Sequence, residues 1–169
     1  EIVTVLNYLK VCDNPLQDIP LMGVLRSPIV GCTSQELAEL RIQYPDGLLY
    51  ESISAYAGEN EILEKELTPD KLKYELSNNN LQTGEKNSLN IKLKGFLSLL
   101  EKVRNMAAYT PVHELILYVL KETGYGDYAR ALPGGEQRFA NLTMLVEKAM
   151  DYEKTSYRGL FNFVRYIEQ

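Results

Sequence analysis

The chain has 169 residues, 45% of them hydrophobic, which suffices for one folded domain and excludes wholesale disorder. None of its apolar runs approaches the roughly 20 residues that a membrane span requires. The net charge of -5 excludes a general affinity for nucleic acid, and because residues 46–85 carry nine acids against three lysines, any contact with a polyanion is expected outside that segment.

Apolar residues at helical spacing predict a first helix from Ile2 to about Asp13, which Asn14-Pro15 ends. A second helix is predicted from Pro20 to Arg26, and Ser27-Pro28 stops it. The segment from Thr33 to Glu36 has the pattern of a capping box, in which the threonine hydroxyl and the glutamate carboxylate each accept the other residue's backbone N–H. A third helix is therefore predicted to begin there.

The middle of the chain is the most polar part. A short helix is predicted from Leu48 to Tyr56, ending at Gly58. Residues 59–86 are acidic and asparagine-rich, and we interpret them as a variable surface insertion with helical turns at 60–67 and 69–76.

The last part of the chain again has strong helical periodicity. Long helices are predicted from about Ser88 to Ala108 and from Glu136 to Tyr152, with Met150 among the inward-facing residues of the second. Between them, a helix opened by Thr110-Pro111 should close at Gly124, and 124–128 is interpreted as a turn. Thr155-Ser156 is predicted to cap a last helix, Tyr157 to Ile167. With no convincing strand, the predicted fold class is all-α: a single irregular domain of about seven to nine helices.

Cysteine and histidine are too few for a zinc site. Such a site needs three or four ligands, and the chain offers only Cys12, Cys32 and His113, without a CxxC pair. We expect no metal site and two reduced cysteines in a cytoplasmic protein. The absence of a signal-peptide pattern after Glu1 agrees with that expectation.

No catalytic motif is recognisable. The chain lacks GxxxxGK[ST], GxGxxG and GxSxG, and 124–126 lacks the third glycine of a dinucleotide-binding turn. His113 has no nucleophile or orienting acid at a fixed spacing, so a structural role is favoured. The acids Glu61, Glu64 and Glu66 are interpreted as a solvated face. We therefore predict no catalytic residue in this chain.

Two helix starts are candidates for binding a phosphate. Each places glycine before a helix N-terminus, where free N–H groups and the positive end of the helix dipole attract anions. The alternative for each is plain capping and chain reversal, because every helix has such an end. The candidate contact residues are Arg26, Ser27, Gly31, Thr33 and Ser34 at the first start and Gly135 and Arg138 at the second.

These segments also carry a family resemblance. Tyr8–Leu21, Val24–Pro28 and Glu36–Ala38, followed by 123–142 and Tyr152–Phe161, resemble in the same order the AddA component of bacterial AddAB-type ATP-dependent helicase–nucleases. The resemblance covers about residues 1–45 and 110–169, and the middle matches only loosely. Taken together, these motifs are specific for the family, whereas each motif alone is weak evidence.

The resemblance implies a place in a larger protein. In UvrD-like helicases this region is the helical insertion of the second motor lobe, called domain 2B. The ATP-binding loop and the magnesium-binding acids would then precede Glu1, and the phosphate-sensing arginines and the nuclease domain would follow Gln169. The chain itself would hold no cofactor, whereas the parent protein would use ATP and magnesium.

The resemblance also implies a function: an accessory duplex-DNA-engaging or regulatory domain of an ATP-dependent DNA helicase–nuclease in double-strand-break repair and recombination. It would contact backbone phosphates rather than read bases. The alternative is a protein-interaction module that packs on the motor domains or on the partner B-type nuclease subunit, which an exposed apolar patch would favour. A free-standing enzyme is the least supported interpretation, and no membrane partner is implied.

One turn departs from the pattern of UvrD-like relatives. They carry Thr-Pro-x-Arg-Gly-Ile-Gly against duplex DNA where this chain has the segment from Ser27 to Thr33. Val30 stands in place of the arginine, and Cys32-Thr33 stands in place of Ile-Gly. We expect the turn to persist without that charged contact.

Overall fold

The computed structural model describes residues 1–66, 82–155 and 159–168, with the side chains of residues 1–58, 88–155 and 159–168. Within these ranges the chain forms nine α-helices and no strand, which confirms the all-α prediction. In chain order they are α1 (Ile2–Asp13), α2 (Asp18–Arg26), α3 (Ser34–Gln43), α4 (Leu49–Glu66), α5 (Gln82–Ala107), α6 (Val112–Glu122), α7 (Tyr125–Ala131), α8 (Gly135–Glu153) and α9 (Leu160–Ile167).

Helix α1 lies at the centre of the fold. It packs against α2, α5, α8 and α9, so most of its sides are covered. Val5, Tyr8 and Leu9 are fully buried, and the Tyr8 ring meets the Phe96 ring of α5 edge to face, with centroids 6.3 Å apart. The predicted single apolar stripe is therefore wider than its spacing suggested, because α1 is covered by neighbours on several sides.

The remaining helices form two groups around α1. Helix α4 packs on α2, α3 and α5, while α8 packs on α6, α7 and α9. Helix α5 also contacts α6 and so joins the two groups. Buried leucine, isoleucine and valine side chains from both groups belong to one continuous core.

Several helix boundaries differ from the predictions. Helix α4 continues through Gly58 to Glu66, and α5 begins at Gln82 rather than at Ser88. An interior glycine costs a helix only about 1 kcal/mol, so Gly58 does not stop one that is already growing. Helix α2 begins at Asp18, two residues before the predicted Pro20, because proline is tolerated within a first turn.

The structure also differs from the predictions for 124–128, for Met150 and for the start of the last helix. Helix α7 begins at Tyr125, within the segment 124–128 that was predicted as a turn, and Met150 is 42% exposed rather than inward. The last helix begins at Leu160, since Gly159 with a φ of 91° precedes it. The helical turn at 69–76, most of the insertion at 59–86, Ser156 of the predicted cap and Tyr157, the predicted first residue of the last helix, lie outside the fully described residues.

Two predicted termini are confirmed. Gly124 follows α6 with a left-handed φ of 64°. At α3, the Glu36 N–H donates to Thr33 Oγ1 (3.1 Å) and the Thr33 N–H donates to Glu36 Oε2 (2.6 Å), which completes the capping box. None of the described helices combines the length and apolar composition that a membrane crossing needs.

Helix α3 is also fixed to α5 through this capping box. Lys92 Nζ of α5 donates to both oxygens of Glu36, at 2.8 and 3.0 Å. Burial opposes ionisation of Glu36, but the hydrogen bonds from Lys92 and Thr33 outweigh it and hold the pKa of this carboxyl below its ordinary value.

Helices α7 and α8 approach each other very closely at Gly135. A Cβ atom at this position would overlap the carbonyl group of Arg130 and lie 2.9 Å from its Cα. Neither backbone can move without disturbing the helix that carries it, so this contact requires glycine.

We expect Gly135→Ala to lower the free energy of unfolding by about 1–3 kcal/mol, because the new methyl group overlaps the Arg130 backbone. The matched control is Gly95→Ala on α5, where an added Cβ meets no atom within 4 Å. It should raise stability by about 0.5–1 kcal/mol through better helix propensity. Urea unfolding gives the free energy of unfolding of both variants. Equal changes in the two variants would contradict the predicted overlap at Gly135.

Glu36→Gln should lower the free energy of unfolding at pH 7 by about 1–2 kcal/mol, because charge-assisted hydrogen bonds from Lys92 are lost. Since the folded-state pKa is lowered, the ionised form contributes its stability above the ordinary carboxyl value of 4.5 and loses it as the pH falls further. The difference in free energy of unfolding between this variant and the unaltered chain should therefore become smaller between pH 5 and pH 3, as measured by urea titration at each pH. Glu39→Gln, at an exposed position of α3, should cost no more than about 0.5 kcal/mol at pH 7. A difference that stays constant on acidification would contradict the assignment.

Candidate nucleic-acid interface

Ser27 builds the turn between α2 and α3. Its hydroxyl donates to the Val24 carbonyl (2.7 Å) and accepts from the Ile29 N–H (3.2 Å), and its carbonyl accepts from Gly31 N–H (2.7 Å). Ser27 is buried, so its side chain shapes the turn and does not face solvent. Gly31 is exposed and takes a left-handed φ of 73°, which explains glycine at this point.

The structure brings Arg26 and Ser34 together across this turn. The exposed Arg26 guanidinium donates to the Ser34 hydroxyl. In the described part of the chain no carboxylate forms an ion pair with Arg26, so its charge is uncompensated.

The backbone N–H groups of the same turn are mostly in use. Cys32 N–H donates to the Leu25 carbonyl (2.9 Å), and Thr33 N–H is engaged in the capping box. Within the described ranges the N–H groups of Ser34 and Gln35 donate to no acceptor. These two N–H groups, at the positive end of α3, are the ones that an anion would meet.

The second helix start is organised differently. Gly134, with a left-handed φ of 71°, precedes α8, and no side-chain hydrogen bond caps this helix. Arg138 Nε donates to the Pro133 carbonyl (3.1 Å), and its Nη1 donates to Glu1 Oε2 (3.1 Å). Gly135 is buried against α7. The Arg138 charge is therefore balanced within the domain.

Glu1 is the residue that sequence reasoning missed at this start. Its Oε1 accepts from Asn141 Nδ2 at 2.7 Å, and this hydrogen bond, together with the Arg138 charge, holds the pKa of Glu1 below its ordinary value. Glu1 and Arg138 lie 137 residues apart in the chain, so no local pattern links them. The seven predicted contact residues thus fall into two separate groups, one around the Arg26 turn and one at the start of α8.

His113 has an orienting acid that its sequence neighbourhood does not show. Its Nδ1 lies 2.5 Å from Glu153 Oε2, and its backbone N–H donates to Glu153 Oε1 (3.2 Å). Glu153 comes from α8, 40 residues away, so the pair joins the start of α6 to the end of α8. Among the described residues no hydroxyl or thiol bonds to His113, and the pair has the geometry of a structural link.

The thiols are placed as buried core groups. Cys12 and Cys32 are both unpaired and buried. Burial raises the pKa of both thiols, that of Cys32 to about 11, so both stay protonated at neutral pH. Over the described ranges, no group of three or more His, Cys, Asp or Glu residues is arranged to hold a metal ion.

A large groove, of about 1150 Å³, lies between α4 and α5. Lys94 and Arg104 line it together with Glu101, and small residues such as Ser54 and Ala57 form its other side. Its charges are mixed, and its described lining contains none of the predicted contact residues.

The comparisons with known proteins agree with the resemblance given by the sequence. No protein-family model matches the chain. The chain is similar along its whole length to proteins whose name identifies them as the A component of an ATP-dependent helicase/nuclease: 41% identical over 197 residues for Lachnoclostridium phytofermentans, 42% over 169 for Bacillus velezensis and 41% over 170 for Thermoanaerobacter pseudethanolicus.

The similarity includes the middle segment, which the sequence motifs matched only loosely. The chain spans 14% of the length of the first of these relatives and 12% of the length of the other two. The predicted resemblance is confirmed, and the chain is homologous throughout to one segment of the AddA component of the ATP-dependent helicase/nucleases.

Proposed function

We propose that this chain is a non-catalytic accessory domain of an ATP-dependent DNA helicase–nuclease and that it engages duplex DNA through backbone phosphates. The observation that carries the DNA contact is the Arg26 turn: an exposed guanidinium that pairs with no carboxylate among the described residues, next to the N–H groups of Ser34 and Gln35, which donate to no acceptor there. Because the net charge is -5, only a local group of this kind attracts phosphate.

The surroundings of the Arg26 turn support this assignment. Glu36 lies in the first turn of α3 and would repel a phosphate, but the Lys92 ammonium at 2.8 Å offsets its charge. The α8 start offers an uncapped helix end, yet its arginine is balanced by Glu1. We therefore rank Arg26 above Arg138 as a DNA contact.

The proposal includes the position of the domain in the parent protein. Its first and last helices, α1 and α9, pack together, and Ile2 at the start of α1 lines one cavity with Ile167 at the end of α9. Neighbouring ends are what a domain inserted into a motor lobe requires. We propose that residues 59–86 are an acidic surface insertion of that domain. The end of α4 and the start of α5 belong to this segment.

The activity of the whole protein belongs to the same proposal. The parent would use ATP and magnesium, act in the cytoplasm in double-strand-break repair and recombination, and work with a B-type nuclease subunit. The names of the relatives support the helicase and nuclease activities.

The purified chain should neither hydrolyse ATP nor cleave duplex DNA, because none of its sequence motifs provides a phosphate-binding loop. Phosphate release and duplex integrity in the presence of magnesium measure this. ATP turnover that a substitution in this chain abolishes would overturn the prediction.

Arg26→Ala should weaken binding of a short duplex and lower the slope of log affinity against log salt by about one unit, as expected for one lost phosphate contact. Arg138→Ala should have a smaller effect, because Glu1 already balances that charge. Fluorescence titration at several salt concentrations gives both values, with circular dichroism to check folding.

The matched control is Arg165→Ala on α9, which removes an exposed arginine that lies over the Phe161 ring. It changes the net charge equally and should leave the slope unaltered. If Arg26→Ala plus Arg138→Ala stays folded and binds with unchanged affinity and slope, the DNA contact at these helix starts is refuted.

A second candidate function is a protein-interaction module. The observation that favours it is the exposure of isoleucine side chains: Ile19 is 87% exposed and Ile42 is 80% exposed. Exposed apolar area of this kind marks contact surfaces when it is contiguous.

A further inference from the structure

We propose that one side of this domain docks onto another region of the helicase/nuclease polypeptide to which it belongs, through a surface formed by Leu16, Ile19, Met22, Ile42 and Leu48. We call it the α2–α3 surface. The proposal rests on the proposed function only in treating this chain as one domain of a larger polypeptide.

A polar cluster fixes the α2–α3 surface. The Asp18 carboxylate accepts from Arg41 Nη2 (3.4 Å) and from the Leu49 N–H (2.9 Å). Arg41 Nη1 also donates to the Gly47 carbonyl (3.0 Å) and to Ser52 Oγ (3.3 Å). The start of α2, the end of α3 and the start of α4 therefore meet at one place.

Three of the exposed apolar residues are next in the chain to residues of this cluster. Ile19 follows Asp18, Ile42 follows Arg41, and Leu48 precedes Leu49. Met22 lies one helical turn after Ile19 on the same face of α2. The exposed fractions are 48% for Leu16, 87% for Ile19, 37% for Met22, 80% for Ile42 and 37% for Leu48.

Helix α2 is apolar on both faces. Its inner face buries Leu21, Val24 and Leu25, while Ile19 and Met22 point outward. Asp18 and Arg26 are its only charged residues, one at each end. A helix that is hydrophobic all round is expected to be covered on all sides, and here only one side is covered by the described part of this domain.

The charges next to the surface define the chemistry of its occupant. Asp13, Asp46 and Glu51 are exposed, and each lies within three residues of Leu16 or Leu48 in the chain. Arg41 is paired with Asp18, and the exposed Arg26 lies at the other end of α2. The Glu51 carboxylate accepts the Leu48 N–H at 2.9 Å, which places an acid beside the apolar group. The complementary occupant is a protein surface with apolar residues flanked by lysine or arginine.

Two other occupants fit less well. Duplex DNA would meet these acids at the margin, and a second copy of this domain would bring two acidic margins together. The relatives of which this chain spans 12–14% have most of their length elsewhere, and that part of the polypeptide is present at high local concentration. These observations favour an intramolecular partner.

The test uses the complete helicase/nuclease polypeptide that contains this domain, with the photo-crosslinking residue p-benzoylphenylalanine at position 19 or 42. The expected crosslinks join these positions to peptides elsewhere in the same polypeptide that carry Lys or Arg beside apolar residues. The matched control is position 91, since Ile91 on α5 is also exposed (71%). Crosslinks no stronger than at position 91, or crosslinks only to a second copy, to the nuclease partner or to DNA, would overturn the proposal.

The variant Ile19→Glu plus Ile42→Glu gives an independent readout. In the isolated chain its unfolding midpoint should be unchanged, because both side chains are exposed. In the complete polypeptide, trypsin should cleave within this domain at least about fivefold faster than in the unaltered protein, as expected when a docked surface is released.

A loss of stability in the isolated chain would show that these side chains serve its own core, and an unchanged cleavage rate in the complete polypeptide would show that nothing covers them. Either result rejects the docking surface. Ile19→Ser plus Ile42→Ser, which adds no charge, should bind duplex in the isolated chain as the unaltered chain does, so failure of this proposal and failure of the Arg26 contact are told apart.

Discussion

Burial of α1 is the constraint on which the rest of this domain depends. Four helices, drawn from both groups, pack on it, and its Val5, Tyr8 and Leu9 are fully buried. Because α9 is one of these neighbours, the last helix is held against the first: Ile2 and Ile167 line one cavity, and Glu168 pairs with Lys10 in the last turn of α1. The central helix thus fixes both the core and the position of the chain ends.

Each candidate DNA contact is also a structural joint. The capping box that begins α3 is tied to α5 through Lys92, and Arg138 is tied to Glu1. These ties restrict the side chains before any ligand arrives, which lowers the entropy cost of binding. The ties also neutralise charge, and they do so unequally at the two helix starts. Arg138 is neutralised by Glu1, whereas Arg26 donates only to the neutral Ser34 hydroxyl among the described residues and keeps its charge for a phosphate.

Local patterns in the sequence predicted most of the helices, the capping box of Thr33 and Glu36 and the terminal Gly124, because these depend on residues a few positions apart. Contacts between distant residues were not predictable. Lys92 meets Glu36 across 56 positions, and Glu153 meets His113 across 40. The continuation of α4 past Gly58 was missed because a weak local stop signal is overridden by propagation of the helix.

Helix α2 connects the two proposed interfaces. Its first residues, Asp18 and Ile19, belong to the α2–α3 surface and its polar cluster, and its last residue is Arg26. Nine residues of helix place the two contacts about 12 Å apart along a rigid element. Its inner face is anchored on α1, so it cannot rotate freely. A parent polypeptide that docks on one end would therefore hold Arg26 at a set position relative to itself, and a change at that docking contact would move the phosphate contact with it as a unit.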